Sequence, residues 1–281
     1  MKGKNFVNTD MSGRICLVTG ANSGIGKQVC FQLARLHATV IMACRNETDG
    51  RNAQKEIVRQ SGKSNIFLEV VDLSSQKSIR YFVEKFLKEY EQLHVLVNNA
   101  GIYMQERRES VDGIELTFAT NVLGYFLLSN SLIELLKSSA PSRIIHVVSS
   151  FAGRLSMNDL EGRKKYDGQT AYMQSKQANR MVSHYQAELL KGTGLTVNCT
   201  SPGLTKSGLF RNYKGFFTWI VKLMGKDPAD AADTIVWLAA SDKVQEESGK
   251  LWENRKEQKR KFSNPVKMEQ LWNACSEMTK R

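Results

Sequence analysis

Tyr172 and Lys176 stand four residues apart in the run Tyr172-Met173-Gln174-Ser175-Lys176. On a helix that spacing sets a phenol and an ammonium on one face. A phenol titrates near ~10, too high for base work at neutral pH, and a neighbouring ammonium lowers it by favouring phenolate. Such a pair can give a proton to, or take one from, an oxygen whose charge changes during a reaction. Ser149 and Ser150 close an apolar run upstream and offer hydroxyls to hold that oxygen. Taken singly, each feature has a plainer reading. A Tyr and Lys at this spacing usually decorate a helix surface, and a Ser at a strand end is usually a turn or cap residue. The same spacing recurs at Tyr81 and Lys85, in an amphipathic stretch with no serine at a strand end before it, and reads there as helix surface and core.

A second constellation lies near the start. The first β-branched run ends in Thr19-Gly20-Ala21-Asn22-Ser23-Gly24-Ile25-Gly26-Lys27. Glycines between a strand and a helix let backbone approach a pyrophosphate, and the helix N-terminus supplies free N–H groups. The spacing is G-x-x-x-G-x-G, and glycines near a turn are a weak signal on their own. The second strand sharpens it. Dinucleotide-binding chains that take NAD place an acid at its end to hold the ribose 2′-hydroxyl. Here that end reads Ala43-Cys44-Arg45, and a guanidinium suits a 2′-phosphate instead. The expected cofactor is therefore NADP(H).

The elements that must position these groups can be read from periodicity. Strands are expected at Ile15–Thr19, Thr39–Ala43, Ile66–Val71, Val95–Asn98, Ile144–Val148 and Leu195–Cys199, with a weaker seventh at Leu251–Trp252. Helical stretches lie between them at Gly26–Leu36, Ala53–Gln60 and Ser78–Tyr90, and Asp112 to Lys137 reads as one long helix or two in sequence. This alternation predicts an α/β chain of βαβ units on a parallel sheet. No linker or repeat divides the 281 residues, which are expected to form one domain.

Composition excludes several classes. The net charge of +12 is scattered, and its densest run, Arg255 to Lys261, is interrupted by Glu257 and reads as a solvated face rather than a nucleic-acid stripe. Five cysteines without C-x-x-C spacing read as buried thiols. The four histidines make no ligand cluster, so no metal is expected. The first ten residues lack an apolar signal region, and no stretch approaches the ~18 apolar residues of a membrane span. The expected location is cytoplasmic.

In order along the chain, these motifs resemble the short-chain dehydrogenase/reductase family. Added to the glycine turn are Asp72-Leu73, Asn98-Asn99-Ala100-Gly101, Asn121, the serine pair, the Tyr172–Lys176 run, and Pro202-Gly203 with Thr205 and Ser207 beyond. The resemblance implies a doubly wound Rossmann fold of about seven mostly parallel strands with helices on both faces. The nucleotide-binding half would run over about 12–140 and the catalytic half over about 141–281. It also implies that Gly20, Ser23, Gly24, Ile25, Gly26, Arg45, Asp72, Leu73, Asn98, Asn99, Ala100, Tyr172, Lys176, Pro202, Gly203, Thr205 and Ser207 hold the cofactor. Catalysis would fall to Asn121, Ser150, Tyr172 and Lys176, with Ser149 the alternative to Ser150 and Asn121 holding a water beside Lys176.

Within the family the likeness is to the retinol-dehydrogenase-like branch, on Ala43-Cys44-Arg45, Ala140-Pro141-Ser142-Arg143-Ile144, the insert before Tyr172, and Leu271-Trp272. Two departures stand out. Many relatives carry an N-terminal membrane anchor that is not seen here, and the common His before Pro-Gly is Ser201. The reaction implied is hydride exchange between nicotinamide and a carbonyl or alcohol, of the EC 1.1.1 type. A non-catalytic NADP(H) sensor on the same fold is the alternative, and such proteins typically lose the Tyr or Lys kept here. The aromatic stretch with Leu209, Phe210, Tyr213, Phe216, Phe217, Trp219, Ile220 and Leu223 matches the family's substrate lid and implies a lipophilic substrate such as a retinoid, steroid or aldehyde. Lys206, Arg211, Lys214 and Lys222 around it would also suit a peripheral membrane contact. The family's habit of pairing through long helices implies a homodimer.

Overall fold

Short runs of Val, Ile and Leu become buried strands because both faces of a doubly wound sheet are covered by helices. A computed structural model describes residues 7–205, 225–259 and 264–280. Among them, one sheet joins β1 (Ile15–Thr19), β2 (Thr39–Cys44), β3 (Ile66–Val70), β4 (Val95–Asn98), β5 (Ser142–Val147), β6 (Leu195–Thr200), β7 (Leu251–Glu253) and β8 (Lys256–Gln258). The order is β3-β2-β1-β4-β5-β6-β7-β8, parallel throughout except for the last pair. The order reverses between β1 and β4, where a doubly wound sheet opens its crevice.

The pleat sorts side chains to two cores. Cys16 and Val18 of β1, with Val40 and Met42 of β2, pack under α1 (Gly24–Arg35), α2 (Glu47–Ser61) and α8 (Pro228–Ala240). Leu17 and Ile41, one residue out of phase, pack on the opposite face under α3 (Gln76–Glu89) and α5 (Gly124–Ser131). A third cluster joins α5 to α7 (Gly168–Leu189) and α9 (Pro265–Met278) through Phe126, Met181 and Leu271.

Two expectations change. The eighth strand lies within the run read as a solvated face: Lys256–Gln258 pairs antiparallel to β7 through a turn in which Asn254 and Arg255 take φ of 51° and 58°. Arg255 locks that turn by donating to both carboxylate oxygens of Asp233, at 2.9 and 2.6 Å. The long stretch from Asp112 is not one or two plain helices. It runs as a short α4 (Leu116–Phe118), a π-helical turn (Ala119–Leu123), α5, and α6 (Ile133–Ser138). A π-turn inserts one residue into the helical ladder, and such turns favour functional sites.

Candidate active site

The carboxyl ends of the strands open into a cleft of about 610 Å³. Its nucleotide end is shaped by glycine. Gly20 takes φ of 65°, and a Cβ there would meet the Ala100 backbone at 2.7 Å. A Cβ on Gly26 would lie 2.4 Å from the Gly20 carbonyl oxygen and 2.5 Å from the Asn99 amide. Asn99 fastens the turn by donating from its side chain to the carbonyls of Thr19, at 2.8 Å, and Gly20, at 3.3 Å. The Thr19 hydroxyl in return accepts the backbone N–H groups of Asn99 and Ala100. At the head of α1, Ser23 makes no side-chain cap and no acid stands in the first turn, so its N–H groups remain available to an anion.

Arg45 is exposed at the same end and forms no ion pair with a carboxylate among the described residues. Asn46 caps α2 beside it by accepting from Asp49 N–H at 2.9 Å, and Asp49 lines the cleft as well. The Asp72 carboxylate is held by Ser74, whose N–H and hydroxyl donate to it at 2.9 and 2.7 Å. Thr120 lines the cleft, and its buried hydroxyl has no partner among the described residues. A glycine cradle, an uncapped helix start, a free guanidinium and an unpaired buried hydroxyl fit a nicotinamide dinucleotide.

At the other end, α7 delivers the chemistry. Asp167 caps it by accepting from Thr170 N–H at 2.8 Å, and two turns of the helix carry Tyr172 and Lys176 into the cleft wall. Lys176 is buried and donates from Nζ to the Val147 carbonyl at 3.0 Å. Its Nζ lies 5.7 Å from the ring centres of both Tyr125 and Tyr172. Burial pushes the Lys176 ammonium down to about 8. Burial also dominates at Tyr172 and pushes its phenol up to about 12, opposed by a hydrogen bond with the Ser149 side chain. Desolvation thus sets the direction at Tyr172, and what opposes it is the Ser149 hydrogen bond rather than the Lys176 ammonium that the sequence led one to expect.

Ser150, expected to face the substrate, sits exposed at the start of a turn and does not line the cleft; Ser149 does. The cause is local. β5 ends at Val147, and the chain runs two more residues along the cleft before turning, so the first serine keeps the inward position. Asn98 is also placed elsewhere. It is fully buried behind the strand end and donates to Ser129 Oγ at 2.8 Å. Asn121 lies in the π-turn, fully buried one layer behind the lining. Its side chain accepts from Ile102 N–H at 2.8 Å and donates to the Ile102 carbonyl and Ser175 Oγ, both at 3.0 Å. Its main-chain carbonyl accepts from Asn179 Nδ2 at 2.7 Å.

The remaining expected cofactor residues line one cleft together, from Gly20 to Thr205. Ser207 and the aromatic stretch through Leu223 lie outside the described residues. No motif announced Asp49 and Thr120, which line the cleft, or Asn179, which holds the Asn121 carbonyl. The second Tyr–Lys pair is far from this site: Tyr81 is exposed on α3 and Lys85 pairs with Glu69 at 2.8 Å. All five cysteines are buried and none is in a disulfide. No group of acids, cysteines or histidines among the described residues could hold a metal, and no described helix is long and apolar enough to cross a membrane.

The chain is similar to known proteins in sequence and in fold. Mouse retinol dehydrogenase 12 is 36% identical over 277 residues, covering 96% of this chain and 88% of that protein. Mouse retinol dehydrogenase 11 is 39% identical over 247 residues, covering 86% of this chain and 78% of that one. A short chain dehydrogenase from Shigella flexneri, solved in complex with NADP, superposes with a TM-score of 0.70 at 26% identity over 87% of this chain and 98% of that one. The family model for short chain dehydrogenases matches residues 14–215, spanning the glycine turn, the Tyr172–Lys176 helix and the Pro202-Gly203 segment. The chain belongs to the short-chain dehydrogenase family.

Proposed function

We propose that the protein is an NADP(H)-dependent oxidoreductase acting on the carbonyl or alcohol of a lipophilic small molecule. The observation that carries this reading is the grouping of buried Tyr172 and Lys176 with half-buried Ser149 in one cleft that also presents Arg45. The dinucleotide supplies or accepts the hydride. The turn from Gly20 to Gly26 and the head of α1 hold its pyrophosphate, Arg45 meets the 2′-phosphate, and Asp72, Leu73, Asn99 and Ala100 flank the adenosine side. Pro202, Gly203 and Thr205 wall the nicotinamide end, and Ser207 continues that segment.

In the reducing direction Tyr172 gives its proton to the oxygen as negative charge develops there, while the Ser149 hydroxyl donates a hydrogen bond to the same oxygen. Lys176 keeps a positive charge near the phenol as its proton leaves. Asn121 braces Ile102, the neighbour of Gly101, on which a Cβ would lie 3.5 Å from Lys176 Nζ. In the oxidising direction the same groups run in reverse. The retinol dehydrogenase relatives support a lipophilic substrate of retinoid, steroid or long-chain aldehyde type.

One observation favours NADH as an alternative cofactor: Asp49 lines the same end as Arg45 and could accept from a ribose hydroxyl. The test is consumption of NADPH and NADH with retinal, a steroid ketone, a medium-chain aldehyde and a diketone, for wild type and Tyr172→Phe. Turnover with NADPH that is lost in the folded variant is the expected result. Undiminished turnover in the variant would remove Tyr172 from the role given to it, and equal use of NADH would remove the cofactor preference.

A further inference from the structure

One charged side chain beside the site has no place in the reaction so far. Arg180 lies on α7, four residues beyond Lys176 and eight beyond Tyr172, on the same face of the helix. Its Nη2 donates to the main-chain carbonyl of Ser149 at 2.6 Å. It is half-buried and makes no ion pair with a carboxylate among the described residues. Its Nε is buried without a partner among the described residues. The Glu253 carboxylate and the Cys199 thiol are near enough to favour its charge, yet burial works against it more strongly.

A half-buried guanidinium with no carboxylate at ion-pair distance among the described residues is a poor stabilising device, since its burial is not offset by an ion pair. A Met or Leu would fill the same space with less penalty. What the guanidinium does supply is one short charge-assisted hydrogen bond to the residue whose hydroxyl contacts the Tyr172 phenol. Ser149 sits where β5 has already ended, so no strand pairing fixes its backbone. Its hydroxyl is otherwise drawn toward the turn, accepting from Phe151 N–H at 3.1 Å.

We propose that Arg180 is a positioning residue for the reaction: by holding the Ser149 carbonyl, it fixes the backbone so that the Ser149 hydroxyl faces Tyr172 and the substrate oxygen. The inference rests on the proposed role of Ser149. It assigns Arg180 no contact with substrate or cofactor. A misplaced hydrogen-bond donor weakens the stabilisation of developing charge more than it weakens substrate binding, so the effect belongs in kcat.

The test is a double-mutant cycle on the full chain with Ser149→Ala, Arg180→Met, Arg180→Lys and the Ser149→Ala/Arg180→Met pair. Steady-state kinetics, NADPH affinity and melting temperature are measured for each. Arg180→Met is expected to lower kcat by roughly ten- to a hundredfold with KM and NADPH affinity changed less than about threefold. Its melting temperature should be equal to or above wild type. Arg180→Lys should recover part of kcat, since an ammonium can still donate to the carbonyl. In the Ser149→Ala background Arg180→Met should cost nothing further, because the group it positions is gone. Equal losses in both backgrounds, or a kcat loss matched by a fall in melting temperature, would overturn the inference and leave Arg180 a packing residue. Should Ser149→Ala itself leave kcat intact, the role of Ser149 fails first and the inference fails with it.

Discussion

Lys176 shows how a single residue can trade stability for chemistry. Its ammonium is buried with one carbonyl partner and titrates near 8 rather than 10.5. A lysine depressed in this way binds its proton less tightly in the folded chain than in the unfolded one. Below about pH 8 both states are protonated and the full penalty of burial is present; between about 8 and 10.5 the unfolded chain holds more protons, so stability rises with pH across that window. The shift corresponds to a penalty on the order of 3 kcal/mol at neutral pH. Replacing Lys176 with Met removes it along with a hydrogen bond worth about 1 kcal/mol. The variant should therefore melt roughly 4 °C above wild type at pH 7, with the gap closing toward pH 10 and activity lost. Thermal melts across pH check this, and a variant less stable than wild type at pH 7 would contradict it. The same titration bears on activity. Carbonyl reduction should fall as pH rises through about 8 and the Lys176 proton leaves, and a pH–rate profile for wild type and Lys176→Arg would show whether that limb moves upward in the variant.

At the scale of elements, the glycine turn is the least tolerant part of the site. A methyl on Gly26 would press on the Gly20 carbonyl and the Asn99 amide, both held by the strand-end hydrogen bonds. Neither can retreat, so Gly26→Ala should lower stability by about 1–3 kcal/mol and raise the Kd for NADPH at least tenfold, read by denaturant melts and by titration. The elements also show what a sequence reveals. β1 and β4 were readable to the residue, because buried strands of a doubly wound sheet are apolar on both faces and end abruptly in motifs. β8 was not, since a polar edge strand with one neighbour carries no apolar signature. α2 begins at Glu47, six residues before the first apolar position that announced it, because an Asn46 cap and an exposed first turn need no hydrophobic stripe. The π-turn around Asn121 was hidden for the opposite reason. Ala119 through Leu128 are buried all round, and a helix with no polar face gives no phase from which one extra residue could be detected. That Ser149 rather than Ser150 lines the cleft follows from the end of β5 and from how far the chain runs beyond its last pairing. The motifs fall on one cleft, and the local backbone decides which member of each motif lines it.

Across the whole molecule, the cleft draws on strand ends from both halves of the sheet, from Thr19 in β1 to Thr205 beyond β6. A dinucleotide bound there would bridge the two halves, so its binding energy should appear as global stability rather than as local ordering. At about a hundredfold excess over Kd, a bound ligand adds about 2.7 kcal/mol, which for a chain of this size is a rise of roughly 5 °C in melting temperature. The charge at the Arg45 end decides which dinucleotide achieves it. Arg45 must overcome the Asp49 carboxylate in the same end of the cleft before it favours a 2′-phosphate. NADPH should therefore stabilise wild type more than NADH at equal concentration, and added salt should narrow the difference because Arg45 is exposed. Arg45→Gln should erase the preference, leaving the NADH shift nearly unchanged. Asp49→Asn should enlarge the NADPH shift, since the phosphate would then meet a guanidinium with no competing carboxylate. If Asp49→Asn instead abolished the NADH shift and left NADPH untouched, Asp49 would be a ribose ligand and the chain a user of NADH.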